Sequence, residues 1–156
     1  MLQVQENTFN EQEDAYYALS LKKRYYLTKQ EFWDKDVFYG SIIDEEGSKL
    51  LQFTFNTVTN DLGGIIAINA DINNKVKSMS KALDYIFDTW NVSNINLNCQ
   101  GDYLVRFYNT FGFSVIDRQD FNIDLVNSSY HPTLHGEPDY YEMVKIRPLG
   151  GTRWES

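Results

Sequence analysis

The stretch NKVKSMSKALDYIFDTW, residues 74–90, sets the architecture around it. From Met79 onward its apolar side chains recur at the spacing of one helix face: Met79, Ala82, Leu83, Ile86, Phe87 and Trp90. We predict a helix over residues 78–90, with Ser78 or Ser80 capping its first turn. The apolar run IIAI before it predicts a buried strand over residues 65–70. The local order is therefore strand, polar loop and helix.

Lysines surround the predicted start of this helix, at Lys75, Lys77 and Lys81. The first turn of a helix has unpaired backbone N–H groups and a partial positive charge, so it is a natural position for a phosphate. An ordinary solvated helix start explains the same residues without a ligand, and such starts are the more common case. The residues alone leave both interpretations open.

Composition limits the classes of function. The chain has 156 residues, enough for one domain with a hydrophobic core. Its net charge of −8 argues against a nucleic-acid partner. The single cysteine, Cys99, excludes an intrachain disulfide and fits a reducing compartment. No apolar run reaches membrane-spanning length and the N-terminal residues lack signal-peptide features, so we expect a cytoplasmic protein without a membrane partner.

The remaining chain alternates between strand and helix patterns. The predicted elements are an edge strand at 2–5, a helix at 8–21, a short helix opened by the capping box at 28–31, a hairpin of strands 37–43 and 50–55, a turn at 60–64, a strand at 95–99, a helix at 101–112, a long strand at 113–125, a polar loop at 127–138 and a last strand at 140–146. The helical crossover between residues 65–70 and 95–99 predicts a parallel pair, and the hairpins predict antiparallel pairing. We therefore expect an α/β (α+β) fold: a mixed, mostly antiparallel sheet with a central parallel pair, flanked by helices. It would form a single domain over residues 1–147, followed by a C-terminal tail at 148–156.

Two motifs in this order resemble the GNAT acyltransferase superfamily. FYNTFGF, residues 107–113, resembles the family's FY-x-x-x-GF ending of the fourth helix. KVKSMS, residues 75–80, followed by Leu83, resembles its acetyl-CoA loop, Q/R-x-x-G-x-G/A followed by Leu. Both loop glycines are serines here, Ser78 and Ser80, and their side chains hinder close approach of a pyrophosphate to the backbone. The YYEMVK strand near the C-terminus also resembles the family's last strand.

The resemblance implies an N-acetyltransferase that uses acetyl-CoA as cosubstrate and transfers the acetyl group to an amine by direct attack. The acceptor would be a small-molecule or protein amine, and the resemblance is compatible with a homodimer. The pantetheine arm would pair with the strand edge at Ile68, Asn69 and Ala70, where the strand splays from the next one. The diphosphate would lie on the loop formed by Lys75, Val76, Lys77, Ser78, Met79, Ser80 and Lys81. Tyr108 matches the tyrosine that protonates the departing thiolate; the alternative is a core aromatic.

The general base is not identified by the sequence. No carboxylate lies within residues 65–70, and Asp71 directly after them is better explained as a loop or cap residue. A frequent asparagine of the family is Gly101 here. These departures favour the alternative function, a GNAT-fold interaction or structural module whose catalytic features have decayed. The retained lysines and Tyr108 favour the enzyme.

Three further residues have ordinary explanations. Cys99 is expected to be a small buried hydrophobe, since no cation near it in sequence would activate a thiol. His131 and His135 have helical spacing, but Pro132 and Gly136 argue against a helix there, and an uninvolved surface loop is the favoured interpretation. No ligand set for a metal is present in the sequence pattern.

Overall fold

Two antiparallel sheets, each covered by helices, form the framework of the chain. The computed structural model describes residues 1–27, 36–68 and 71–148. The strands are β1 (Gln3–Glu6), β2 (Val37–Ile43), β3 (Lys49–Asn56), β4 (Leu62–Ala67), β5 (Asn94–Gln100), β6 (Ser114–Gln119) and β7 (Tyr140–Ile146). The helices are α1 (Phe9–Tyr17), α2 (Leu21–Arg24), α3 (Ile72–Trp90), α4 (Asp102–Asn109) and α5 (Pro132–His135). Among these helices, none has the length and apolarity needed to cross a membrane.

The two sheets meet at β4 and β5. One sheet has the order β1-β2-β3-β4 and the other β5-β7-β6. Among the described residues, β4 and β5 are paired only through an isolated parallel bridge between Asp61 and Asn96, supported by a 2.9 Å bond from the Asn96 N–H to the Asn60 carbonyl. The predicted central parallel pair is therefore not confirmed as a ladder, because the strands separate after this bridge.

A bulge in β4 accounts for the separation. Between the pairs Gln52–Ile66 and Thr54–Gly63, β4 has one residue more than β3. Gly64 within this segment has a φ of 55°, which a glycine adopts without steric cost. A bulge bends its strand and increases the local twist, so β4 turns away from β5. The predicted turn at residues 60–64 is wrong in part, because Gly63 and Gly64 belong to this strand.

Helix α3 fills the space beside the first sheet. Its predicted apolar face is confirmed, since Met79, Ala82, Leu83, Ile86 and Phe87 are buried in the main core. Its predicted start is wrong. The helix begins at Ile72, and the Asp71 carboxylate caps it by accepting the Asn74 N–H at 2.8 Å. Asp71 is a strong cap and no residue from 72 to 77 interrupts a helix, so the predicted polar loop is helical.

Other predicted elements differ at their ends. Helix α1 stops at Tyr17 rather than Leu21, after a capping box between Thr8 and Glu11. Strands β2 and β7 have the predicted bounds, whereas β6 ends at Gln119 and a 3₁₀ turn follows at Ile123–Leu125. The capping box at 28–31 lies outside the described residues, as do residues 149–156 of the predicted tail.

Candidate functional site

A cleft of about 820 Å³ opens where β4 and β5 separate. Its walls come from β4, β5 and α4, from α2 and the residues just before and after it, from Lys75 of α3, and from the segment between the end of α5 and β7. The charged side chains that line it are Lys22, Lys23, Lys75, Asp102 and Glu137. Its tyrosines are Tyr26, Tyr103, Tyr108 and Tyr140. The divergence of two strands thus produces a site that neither sheet has by itself.

The edge of β4 forms the floor of this cleft. Residues 62–67 line it, and in the part of the chain that the structure describes this edge shares only the Asp61–Asn96 bridge with β5. An unpaired strand edge can hydrogen-bond an extended chain. Ile68 does not line the cleft: it packs with Tyr16 and Ile66, and its N–H donates to the Leu50 carbonyl at 2.8 Å. Asn69 and Ala70 lie outside the described residues.

Tyr108 stands in the wall that α4 contributes. Its side chain is buried and lines the cleft, and its ring packs edge-on against Phe107 and Phe113, with centroids 5.4 and 6.0 Å away. Gly112, with a φ of 92°, follows the helix and turns the chain toward β6. The FYNTFGF motif therefore places a tyrosine at the cleft and also packs the core around it.

The predicted diphosphate loop has a different structure. Residues 76–81 lie inside α3, where their N–H groups bond to carbonyls of the preceding turn. Ser78 and Met79 are buried, and Val76, Lys77 and Ser80 are exposed. Of residues 75–81, Lys75 alone lines the cleft. The backbone therefore cannot receive a diphosphate there as predicted, because serines at 78 and 80 allow the helix to continue where glycines would favour a loop.

The surroundings of Lys75 include an aromatic ring and a second lysine. Its Nζ lies 4.5 Å from the centroid of the Phe107 ring, a cation–π distance. Burial, and secondarily the positive charge of Lys23, lower the pKa of Lys75. Two ammonium groups from α2 and α3 therefore influence each other at the cleft.

Two carboxylates line the cleft, and sequence reasoning missed both. Asp102, in the first turn of α4, accepts the Tyr141 hydroxyl at 2.9 Å, and this bond raises the pKa of Tyr141. Glu137 is exposed and precedes Pro138. Asp71 is the helix cap it was expected to be. The only signal for Asp102 was its position beside Gly101 at a helix start, and nothing in the sequence indicated Glu137.

Cys99 and His135 both have structural contacts in the fold. Cys99 is buried in the core, and burial raises the pKa of its thiol to about 12, as expected for a small buried hydrophobe. His135 is buried at the cleft wall, so the surface-loop interpretation is wrong for it; Pro132 starts the one-turn helix α5, where a missing N–H costs nothing. The His131 N–H donates to His135 Nδ1 and Nε2 donates to the Lys22 carbonyl, both at 2.9 Å. The Nε2 bond joins α5 to α2, and the Nδ1 bond stays within α5 and its cap residue.

These observations test the fit of acetyl-CoA. The open edge of β4, the volume of the cleft and Tyr108 in its wall fit the thioester arm. The helical backbone at residues 76–81 and the carboxylate cap at Asp71 do not fit a diphosphate on the backbone of that segment. The cleft fits the thioester arm along residues 62–67 of β4 and not at the predicted Ile68. The diphosphate would need contacts other than the backbone of residues 76–81.

Comparison with known proteins adds the fold family. No family model matches the sequence, and no curated protein matches it. Among solved structures, the spermidine/spermine N-acetyltransferase SpeG from Vibrio cholerae is 14% identical, with a TM-score of 0.63, over 93% of this chain and 92% of that one. A putative phosphinothricin N-acetyltransferase is 12% identical with a TM-score of 0.65, over 96% of this chain and all 100% of its own. A chimera of SpeG and hSSAT is 13% identical with a TM-score of 0.63, over 99% of both chains. The chain therefore has the fold of the GNAT N-acetyltransferases.

Proposed function

We propose that the protein is an acetyl-CoA-dependent N-acetyltransferase that acetylates a small-molecule or protein amine by direct attack. The observation that carries the proposal is the separation of β4 from β5 after a single bridge, with Tyr108 in the wall of the resulting cleft. The solved structures compared above include SpeG, a spermidine/spermine N-acetyltransferase, and a putative phosphinothricin N-acetyltransferase, which supports the same class of reaction. The buried, reduced Cys99 agrees with a cytoplasmic location.

The residues of the cleft have separate roles in this proposal. Acetyl-CoA supplies the activated acyl group as a thioester. The β4 edge holds the extended arm by backbone hydrogen bonds and orients it along the floor. The Tyr108 hydroxyl donates a proton to the departing sulfur, which a phenol can do. A protonated amine cannot attack, so its proton must leave first. We assign its acceptance to the carboxylates of Asp102 and Glu137, which line the cleft.

Two measurements test the proposal. A ligand present at a hundred times its Kd stabilises the folded state by about 2.7 kcal/mol, so saturating acetyl-CoA should raise Tm by several degrees, whereas adenosine should not. A panel of amines is then offered with acetyl-CoA, and released thiol is measured. Thiol release that depends on the amine supports the enzyme. Absence of both stabilisation and release would leave a GNAT-fold module without catalytic activity.

A further inference from the structure

Two lysines from different helices converge on the cleft. Lys23 lies on α2 and Lys75 on the first turn of α3, and both line the cavity. Burial, and after it the positive charge of Lys23 nearby, lower the pKa of Lys75. Within residues 1–27, 36–68 and 71–148, neither forms an ion pair. Two ammonium groups thus face the cleft without a carboxylate partner in this part of the chain.

This arrangement is unfavourable for the free protein. The chain carries a net charge of −8, so acidic side chains are abundant elsewhere on it. Lys75 is half-buried, and burying a cation beside a like charge costs free energy that the Phe107 ring recovers only in part. A bound anion would offset both the desolvation and the repulsion.

The usual position for an anion at α3 is already occupied. The Asp71 carboxylate accepts the Asn74 N–H at the helix start, and its negative charge opposes a second anion there. The N–H groups of residues 76–81 are bonded within the helix. The backbone of Asn74 and of residues 76–81 therefore offers no free N–H group to a diphosphate, whereas cationic side chains of the cleft can bind one.

We propose that Lys23 and Lys75 together bind the diphosphate of the acyl donor, replacing with side-chain ammonium groups the backbone contacts that residues 76–81 do not offer. The inference rests on the proposed function. Each ammonium group has three donors and can reach separate phosphate oxygens. Helix α2 thereby becomes part of the donor site, and donor binding joins α2 to α3.

The test combines ligand truncation with lysine variants. Calorimetry measures the affinity of CoA, of 3′-dephospho-CoA, which keeps the diphosphate, and of pantetheine, which has no phosphate. The variants are Lys23→Gln and Lys75→Gln, which remove the charge at similar length. Lys77→Gln is the matched control, since Lys77 is exposed on α3 and does not line the cleft. Circular dichroism checks that each variant folds.

Each cleft variant should bind CoA and 3′-dephospho-CoA about tenfold or more weakly, the loss expected for a charge-assisted hydrogen bond. Pantetheine affinity should stay within about twofold of wild type, and Lys77→Gln should match wild type for all three ligands. The affinity of wild type for CoA should also fall more steeply with salt than that of either cleft variant. If a variant is unfolded, Lys23→Arg or Lys75→Arg keeps the charge and should bind CoA within a few-fold of wild type.

Several results would overturn the inference. Equal loss for CoA and pantetheine would indicate a structural role for the lysines. Loss confined to CoA, with 3′-dephospho-CoA unchanged, would place the 3′-phosphate there instead. Unchanged CoA affinity with a raised KM for the amine would assign the lysines to the acceptor. In these cases wild type still binds CoA and the proposed function stands; if wild type does not bind CoA, both fail together.

Discussion

The Lys75 ammonium lies 4.5 Å from the centroid of the Phe107 ring, and this contact joins the two motifs that resemble the GNAT family. Lys75 is on α3 and Phe107 is on α4, so the pair connects the two helices in the wall of the cleft. The aromatic face stabilises a cation whose burial disfavours its charge. The charge state of Lys75 should therefore depend on its surroundings.

The first prediction concerns pH and CoA affinity. Burial and Lys23 lower the pKa of Lys75, so as pH rises Lys75 loses its charge earlier than an exposed lysine does. If it binds the diphosphate, CoA affinity should fall as pH rises through that lowered pKa. Calorimetry between pH 7 and about 10.4, the ordinary lysine pKa, measures the midpoint of the fall.

A variant without the positive charge of Lys23 supplies the control. Lys23→Gln should weaken CoA binding overall but move this midpoint to higher pH, since the pKa of Lys75 then rises toward its ordinary value. Lys77→Gln should leave the midpoint unchanged. An affinity that does not vary below the ordinary lysine pKa would contradict the assignment of Lys75.

The second prediction concerns Ser78. Its side chain is buried in α3, and its Oγ has no hydrogen-bond partner among the described residues. Ser78→Ala removes an unpaired hydroxyl and improves helix propensity, so the free energy of unfolding should rise by ~1 kcal/mol or more. Urea denaturation measures the change.

Ser80→Ala is the matched control for that change. Ser80 is exposed on the same helix, so its substitution should give only the propensity gain of a few tenths of a kcal/mol. Ser78→Gly, which would restore the family's glycine, should destabilise the helix interior relative to Ser78→Ala by ~1 kcal/mol. A lower stability for Ser78→Ala than for wild type would show that the hydroxyl has a partner.

The helix start shows where sequence reasoning succeeded and where it failed. The buried face of α3 followed from the spacing of its apolar residues, which local geometry determines. Its first residue did not, because aligning Ser78 and Ser80 with motif glycines suggested a loop. The better local signal was Asp71, a strong N-cap residue whose carboxylate accepts the N–H of Asn74, three residues later. With serines at positions 78 and 80 in place of the motif glycines, this segment has no residue that favours a loop over a helix.

Only some of the cleft residues could be predicted from the sequence. Tyr108 and Lys75 belong to motifs and were identified as candidates, whereas Lys23 and Glu137 come from segments distant in sequence. All four residues line the same cleft because β4 bends at Gly64 and because His135 joins α5 to α2. Neither the bulge nor that contact has a periodic signature in the sequence, so their consequence for the site required the structure.

The third prediction concerns Cys99. Its Sγ lies 3.9 Å from Met143 Sδ in the core, and burial raises the pKa of its thiol to about 12. The folded state keeps this proton more strongly, so the stability contribution is present below pH 9 and is lost as pH rises toward 12. A thiol reagent at pH 8 should modify Cys99 only on unfolding.

Substitution of Cys99 distinguishes a role in core packing from a role in catalysis. Cys99→Ala should cost ~1 kcal/mol of stability through the cavity it leaves, and kcat should stay within about twofold of wild type. The alkaline loss of stability should become smaller in the variant, because the titrating group is gone. Rapid modification in the native protein would contradict the burial argument.

The last prediction concerns Tyr108 and follows from the proposed reaction. Tyr108→Phe keeps the ring and its packing against Phe107 and Phe113 and removes one hydroxyl. If that hydroxyl protonates the departing sulfur, kcat should fall by ~100- to 10,000-fold, the usual contribution of a general acid. CoA affinity should change little, because the loss occurs only in the transition state.

A second tyrosine of the cleft provides the comparison. Tyr103 is exposed on α4 and also lines the cavity, so Tyr103→Phe removes a phenol from the same helix without touching the motif. It should keep kcat within a few-fold of wild type. The core-aromatic alternative for Tyr108 expects near wild-type turnover and a stability change set by the bonds of the hydroxyl. Measuring kcat, CoA affinity and Tm for both variants therefore separates a proton donor from a packing residue, since only the donor loses rate while its affinity and fold are retained.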